Sequence, residues 1–374
     1  MRNRPSNIWI ILAWAIGVSA AKADGPPLER IAVGGSPLTF VAVPSGRAFR
    51  AWGFNYDRDA RGRLIEDYWR DEWAKVEADF ARMKAMGANV VRVHLQLGRF
   101  LPEPDRVDPA QLDQLGRLLA LAERLGLYLD LTGLGCYRKA DVPGWYDGLG
   151  EADRWQAQAR FWSAVAGRAS KSPAVFCYDL MNEPVVPGDR QEAGDWLGSG
   201  SGLDGKFYVQ KITLDPAGRP RAEVARLWMV PLRDAIRRAD PGRLITVGLV
   251  DWSLDRPGAL FSGITPEAVA AELDFNAVHL YPEAGKVADA LNTLGRFQIG
   301  GKPVIVEETF PLRCPIADFA RFADAARDST AGLVGFYWGQ DRTELKKVGT
   351  IAASMTDQWL DYFEKAKRPA APEP

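Results

Sequence analysis

Two short segments could do chemistry. The first is Asp179-Leu180-Met181-Asn182-Glu183-Pro184, where an apolar run stops in an amide, a carboxylate and a proline. Proline cannot donate to a strand ladder, so Glu183 is left at a strand's C-terminal tip. The second is Lys302-Pro303-Val304-Ile305-Val306-Glu307-Glu308, again an apolar run that ends in carboxylate. Side chains alternate faces along a strand. Alternation therefore groups Val304, Val306 and Glu308 on one face and Glu307 on the other, and does not say which face is inward. Two carboxylates that meet across one opening suit glycosidic-bond cleavage. One must be protonated to donate to the leaving oxygen, and the other ionised to attack the anomeric carbon. Their surroundings must push the two pKa values apart.

Other residues fit around such a pair. Arg92 lies inside the apolar run Asn89-Val90-Val91-Arg92-Val93. A charge there is costly unless paired, and it could keep a nucleophilic carboxylate ionised through charge-assisted bonds. His94 shares parity with Arg92. His279 and Tyr281 share parity in His279-Leu280-Tyr281-Pro282, so both can face the same pocket. Trp338 closes a late apolar run and could floor a sugar subsite, although any Trp can simply be core.

Something must hold these residues at one rim. From residue 50 onward, short β-rich runs alternate with longer amphipathic ones. The strand-like runs are Ala51–Tyr56, Asn89–Leu95, Leu127–Thr132, Val175–Met181, Leu244–Leu249, Phe275–Tyr281, Pro303–Glu308 and Leu333–Trp338. Helical patterns between them include Asp71–Met86, Pro109–Leu125, Asp153–Ser170 and Glu223–Ala239, with Gly87 and Gly126 at C-cap positions. Eight alternations predict a parallel sheet covered by helices, and eight is the number that closes a (β/α)8 barrel. No Gly-rich phosphate loop follows the first run, which disfavours a nucleotide-binding open sheet. Glu308 follows Glu183 by 125 positions (308 − 183), room for three βα units and an insertion. The pair then belongs to the fourth and seventh strands, whose C-terminal tips form the catalytic face of a barrel.

The remainder sets the boundaries. Arg2 and Arg4 precede an apolar run, Ile8 to Ala20, and a small-x-small site at Ala21-Lys22-Ala23. Residues 1–23 read as a signal peptide, residues 24–367 as one catalytic domain and 368–374 as a disordered tail. The expected location is secreted or periplasmic, with no membrane association after cleavage. Ile31–Phe49 reads as a hairpin, turning at Gly34-Gly35, under the barrel's N-terminal end. Residues 185–221 form a Gly/Asp-rich insertion carrying Trp196, Phe207 and Tyr208, either a substrate-binding flap or an ordered surface loop. Lys and Arg number 47 against 48 Asp and Glu, for a net charge of −1, so no nucleic-acid partner is implied. With two histidines and three cysteines at no metal spacing, no metal and no cofactor is expected. Cys177 sits in an apolar run, whereas Cys136 and Cys314 lie in loops and could pair.

In sum these segments resemble glycoside hydrolase family 5, within clan A of the barrel glycosidases. The resemblance rests on Trp52-Gly53-Phe54-Asn55-Tyr56, Arg92, Asn182-Glu183-Pro184, His279-Leu280-Tyr281, Pro303 to Glu308 and Phe336-Tyr337-Trp338, in that order. It implies a retaining double displacement with Glu183 as acid/base and Glu308 as nucleophile. Asn182 would bind the 2-hydroxyl, Tyr281 would hydrogen-bond the nucleophile, His279 would tune the pair and Trp338 would floor the subsite. Asn55, Arg92 and His94 complete the expected substrate-site set. There are departures. Thr132 stands near the end of the third strand, where many cellulase-like members have histidine, and Glu308 continues into Thr309-Phe310 without the usual aromatic-Gly. His94 could take part of the missing histidine's place. The expectation is a monomeric enzyme on an oligo- or polysaccharide, endo-acting on β-1,4-mannan or β-1,4-glucan. A β-glucosidase-like or transglycosylating enzyme on short glycosides and a non-catalytic sugar-binding barrel are the alternatives.

Overall fold

The computed structural model describes residues 27–36, 39–198, 205–336 and 338–366. The expected signal segment and the C-terminal tail lie outside the described residues. Among the described residues, no helix is long and apolar enough to cross a membrane.

Strands β1 (Arg30–Val33), β2 (Phe40–Val43) and β3 (Ala48–Phe49) form a small antiparallel sheet. The expected hairpin is therefore present and gains a third strand. The barrel strands follow as β4 (Ala51–Tyr56), β5 (Val90–Gln96), β6 (Tyr128–Gly135) and β7 (Val175–Asp179). Within the insertion, β8 (Glu183–Val185) pairs with β9 (Val209–Lys211) in a two-stranded parallel sheet. Then come β10 (Leu244–Thr246), β11 (Gly248–Val250), β12 (Asn276–His279), β13 (Val304–Thr309) and β14 (Gly332–Gly335). The large sheet is parallel, in the order β10-β7-β6-β5-β4-β14-β13-β12-β11. Its two ends are consecutive pieces of chain separated by Val247. The expected fifth strand is thus split: its first half pairs with β7 and its second with β12. This is a nearly closed α/β barrel of the TIM type.

The helices form where sequence chemistry sets their ends. Helix Pro109–Leu125 starts at Asp108, whose carboxylate accepts from the backbone N–H of Ala110 and Gln111, and stops at Gly126 in the left-handed region. Helices Trp73–Ala85, Glu151–Ala169 and Arg221–Ala239 fall within two residues of the expected spans.

Strand alternation sorts side chains into two cores. Val91, Val93, Leu129, Leu131, Val278, Val304 and Val306 pack outward in the main cluster with the helices. Val90, Tyr128, Cys177, Phe275, Ala277, Ile305 and Val334 fill the lower barrel interior together with Ile31, Phe40 and Ala42 of the small sheet. Phe40 lies edge-on to Phe176 and Phe275, at 5.3 Å from each. The sheet therefore plugs the N-terminal end, leaving the opposite rim for chemistry. All three cysteines are buried free thiols, so Cys136 and Cys314 do not pair.

Barrel closure needs close backbone approach at Gly53, where an added Cβ would stand 1.7 Å from the carbonyl oxygen of Val90. That oxygen belongs to the neighbouring strand and cannot yield. Gly53→Ala is expected to cost at least about 1–3 kcal/mol, read as a lower melting temperature or loss of soluble protein. Gly35→Ala, with nothing within 4 Å of its Cβ, is expected to melt like the wild type. Matching melts for both proteins would refute this account of the barrel wall.

Candidate active site

Above the apolar plug the interior turns polar. Strand parity carries inward from Val90 to Arg92 and His94, from Tyr128 to Asp130, from Cys177 to Asp179 and from Ala277 to His279. Arg92 is fully buried. Its Nη2 donates to Asp179 at 2.6 Å and Asn182 at 3.0 Å, and its Nη1 to Asn55 at 2.8 Å and Glu308 at 3.3 Å. The guanidinium thus ties four strand ends together.

Simple alternation fails on β13. Val304 and Val306 face the helices and Ile305 the interior, so Glu307 points inward and Glu308 should point out. The register shows why it does not. Val278 pairs with Val306, but His279 pairs with Glu308, and the β13–β14 register slips over the same residues. Glu307 is the extra residue of a bulge, and a bulge re-aims the side chains after it. Both glutamates therefore reach the barrel axis, and the grouping of Glu308 with Val304 and Val306 is corrected. Asn55 fixes the bulge: its Nδ2 donates to the Glu307 carbonyl at 3.0 Å and the Gly335 carbonyl at 3.3 Å.

At the rim, one carboxylate oxygen each of Glu183 and Glu308 and a ring nitrogen of His279 lie within 4.8 Å of one another. His279 Nδ1 is 2.8 Å from Glu183 and 3.5 Å from Glu308. Glu308 also accepts from the Tyr281 hydroxyl in a short bond and from Arg92. Glu183 and Tyr281 are partly open to solvent, whereas Asn55, Arg92, His94, Asn182 and Trp338 are at most 1% exposed. Asn55, Arg92, His94 and Asn182 form a polar bed next to Glu308, whereas Trp338 packs in the main hydrophobic cluster. His94 bonds Tyr137 at 2.7 Å and lies 3.3 Å from Arg92, with Thr132 beside it across the ladder. Asn182 donates to the Tyr208 carbonyl at 3.3 Å. Trp338 lies beyond the end of β14, bound through its backbone N–H to Asn55 and edge-on to Phe54 at 5.5 Å. The eighth strand is shorter than its apolar run.

Burial and Glu183 push the Glu308 carboxyl above its ordinary range, against the pull of His279, Arg92 and Tyr281. Burial likewise raises Asp179 to about 7. His94 is driven well below the imidazole range by burial and Arg92, and so is neutral.

Reading the sequence for chemistry missed Asp130 and Asp179 as interior groups and Asp57 and Tyr137 around the rim, left the face of Glu307 open, and placed Tyr208 only within the insertion. The signal that singled out Arg92, a charge inside an apolar strand, applies equally to Asp130 between Leu129 and Leu131. The described parts of the insertion are anchored at two points: the Tyr208 hydroxyl donates to Asp57 at 3.0 Å, and Trp196 is buried against Arg154. A cavity of about 720 Å³ opens on the same face, lined by Phe310, Leu312 and Phe336 together with Arg58, Arg61, Arg138 and Lys206. All but Lys206, which lies in the insertion, follow the C-terminal tips of β4, β6, β13 and β14.

A family model described as cellulase (glycosyl hydrolase family 5) matches residues 49–309. A GH5_18 variant from Streptomyces cattleya, in complex with Manb1-4GlcNAc, superposes with a TM-score of 0.61 at 19% identity, covering 87% of this chain and 83% of that one. A β-1,4-mannanase from the sea hare Aplysia kurodai gives 0.60 at 16% identity, over 92% of this chain and 99% of that one. An endo-1,4-β-mannanase from Rhizomucor miehei gives 0.62 at 18%, over 90% and 100%. At these identities the likeness is one of fold. No curated protein matches in sequence.

His279 supplies a test of the site's electrostatics. Burial opposes its charge, but Glu308, Glu183 and Glu307 overcome burial and raise it to about 10. Unfolded, it titrates at about 6.5. The folded state binds the extra proton between those values, so the stabilisation is complete below about pH 6.5 and lost as pH rises through about 10. His279→Gln is expected to flatten that decline in denaturant-unfolding free energy. Equal slopes in both proteins would place the charge elsewhere.

Proposed function

The chain belongs to glycosyl hydrolase family 5, a family of retaining enzymes, and on that premise we propose that it cleaves β-1,4-mannan or β-1,4-glucan with Glu308 as nucleophile and Glu183 as acid/base. The observation that carries the assignment is the unequal supply of donors. Among the described residues, Glu308 faces Tyr281, Arg92 and His279, whereas Glu183 faces His279 alone. Donors favour the ionised form, so the better-supplied carboxylate is the nucleophile.

Coupling between the two acids sharpens this. Glu183 raises Glu308 only while Glu183 is itself ionised. With Glu183 protonated, as a donor to the leaving oxygen must be, that repulsion vanishes and Glu308 ionises more readily. Glu308 then attacks the anomeric carbon as Glu183 gives up its proton. Glu183, now a base, takes a proton from water, which releases the sugar from Glu308 with overall retention. The close approach of the two carboxylates supports direct attack, since the inverting alternative needs carboxyl groups about 6.5–9.5 Å apart.

Mannan is favoured over glucan because the mannanase and GH5_18 neighbours carry mannose-containing substrates or ligands in their names. The cavity on the same face, lined by Phe310, Phe336 and basic side chains, supports binding of further sugar units. The basic start and apolar run of residues 1–23 support export.

Glu308→Gln is expected to abolish turnover, lowering kcat by at least about 10³-fold, with the fold retained by circular dichroism. Activity within a few-fold of wild type would move the nucleophile elsewhere. Glu183→Ala is expected to lose most activity on substrates with poor leaving groups, keep forming the intermediate from activated aryl glycosides, and regain turnover with azide. Uniform loss without azide rescue would remove Glu183 from the acid/base role. A panel of mannan, glucomannan, cellulose and aryl mannosides and glucosides decides the sugar. Release of short oligosaccharides from mannan is expected, and cleavage of glucans alone would replace mannan with glucan.

A further inference from the structure

Below the reacting pair lies a second acidic pair that the mechanism does not use. Asp130 on β6, Cys177 on β7 and Glu307 on β13 bring one polar atom each within 4.8 Å of one another. Asp130 is 1% exposed, and Cys177 and Glu307 are wholly buried. Among the described residues, neither carboxylate oxygen of Glu307 has a hydrogen-bond partner, and neither does Oδ1 of Asp130. The nearest cations stand off: Arg92 Nη2 is 3.7 Å and His279 Nε2 3.5 Å from Glu307 Oε2. Arg92 spends both terminal nitrogens on Asp179, Asn182, Asn55 and Glu308.

Two adjacent carboxylates buried from solvent oppose each other's ionisation. A proton between them removes the repulsion and supplies the missing donor. We propose that Asp130 is a permanently protonated carboxylic acid whose hydroxyl donates to the Glu307 carboxylate, and that the two act as positioning residues that keep His279 charged beneath Glu183 and Glu308. The last clause rests on the reading of that pair given above.

The neighbours decide which acid holds the proton. Glu307 faces Arg92 from β5 and His279 from β12, and these hold it below its ordinary range despite burial. No cation forms an ion pair with Asp130 among the described residues, and burial together with Glu307 pushes it well above its range. On β7, Asp179 has its own partners in Arg92 and the backbone N–H of Gly248. The Cys177 thiol stays protonated, raised by burial, and adds no charge. Glu308, next along β13, points to Tyr281 at the rim. Glu307 therefore presents a single negative charge to the His279 Nε2 side, which keeps the ring an imidazolium whose Nδ1–H points at Glu183. A metal ion would need Asp130 and Cys177 both deprotonated beside two cations.

Asp130→Asn tests this, because an amide keeps a donor at the same place and changes the charge only if Asp130 was ionised. The variant is expected to keep kcat within about threefold of wild type, with a superimposable pH–rate profile. Infrared spectra at about pH 9 lie above the ordinary carboxyl range and above the value of about 7 to which buried Asp179 and Glu66 are raised. There, wild type and Glu308→Gln are both expected to show a protonated-carboxyl C=O band that Asp130→Asn lacks. Glu307→Gln is expected to lower kcat at least about tenfold and move the alkaline limb to lower pH, because His279 loses its anionic neighbour. Absence of the band in wild type, a hundredfold loss in Asp130→Asn, or one equivalent of metal per purified chain would each overturn the proposal. Should Asp130→Asn fail to fold, presence or absence of the band in wild type and Glu308→Gln decides. The infrared result stands even if Glu183 and Glu308 prove not to be the reacting pair.

Discussion

The structure turns on one buried guanidinium. Taking an ion out of water costs several kcal/mol even after relaxation, and Arg92 has no exposure at all. Arginine cannot escape by losing its proton. The barrel must instead bring acceptors to it, and it does so from three other strand ends: Asn55 on β4, Asp179 and Asn182 at the end of β7, and Glu308 on β13. A planar fork with fixed donor directions sets not only that these groups are near but where they stand. The same contacts that make Arg92 tolerable therefore locate Glu308 relative to Asn182, the amide beside Glu183.

Meeting that demand required an irregular strand. In a regular β13 only one of Glu307 and Glu308 could face inward. The bulge at Glu307 turns both inward, so one segment serves the interior acid layer and the rim together. A bulged residue leaves ladder groups unpaired, and here the Asn55 amide takes up the Glu307 carbonyl. Asn55 thus serves Arg92 with its oxygen and the bulge with its nitrogen. This explains why it is buried under the site rather than open to a sugar.

Local chemistry was legible in the sequence, and long-range chemistry less so. Asp108-Pro109 and Gly126 bracket a helix because caps are decided by adjacent residues. The barrel strands were visible as apolar runs because both their faces are buried. The placing of His279 and Tyr281 followed from parity, and the pairing of Glu183 with Glu308 from strand count and the family resemblance. What parity could not see was the extra residue in β13, which exists only relative to the registers of β12 and β14. The split of the fifth strand at Val247 was hidden for the same reason. Asp130 was readable by the argument that picked out Arg92, but an acid inside a strand gains meaning only when its neighbours are known. The contact of Tyr208 with Asp57, 151 positions apart, has no local signature.

The split fifth strand shows how backbone as well as side chains builds the site. After Val247 the chain resumes at Gly248, whose N–H lies 3.2 Å from the Met181 carbonyl and 3.0 Å from the Asp179 carboxylate. The other Asp179 oxygen is held by Arg92, so this N–H completes the cage of the main counter-ion to the guanidinium. Such an approach leaves no room for a side chain. A Cβ on Gly248 would stand 1.8 Å from the Asn182 carbonyl and 2.8 Å from His279 Nε2. It would therefore press on the backbone that carries Glu183 and on the ring that contacts both glutamates. Glycine is demanded there by proximity, since its φ lies outside the left-handed region. The interruption of β10–β11 that frees this N–H is thus part of how Asp179 stays fixed, and through Asp179 and Arg92 it bears on where Glu308 sits.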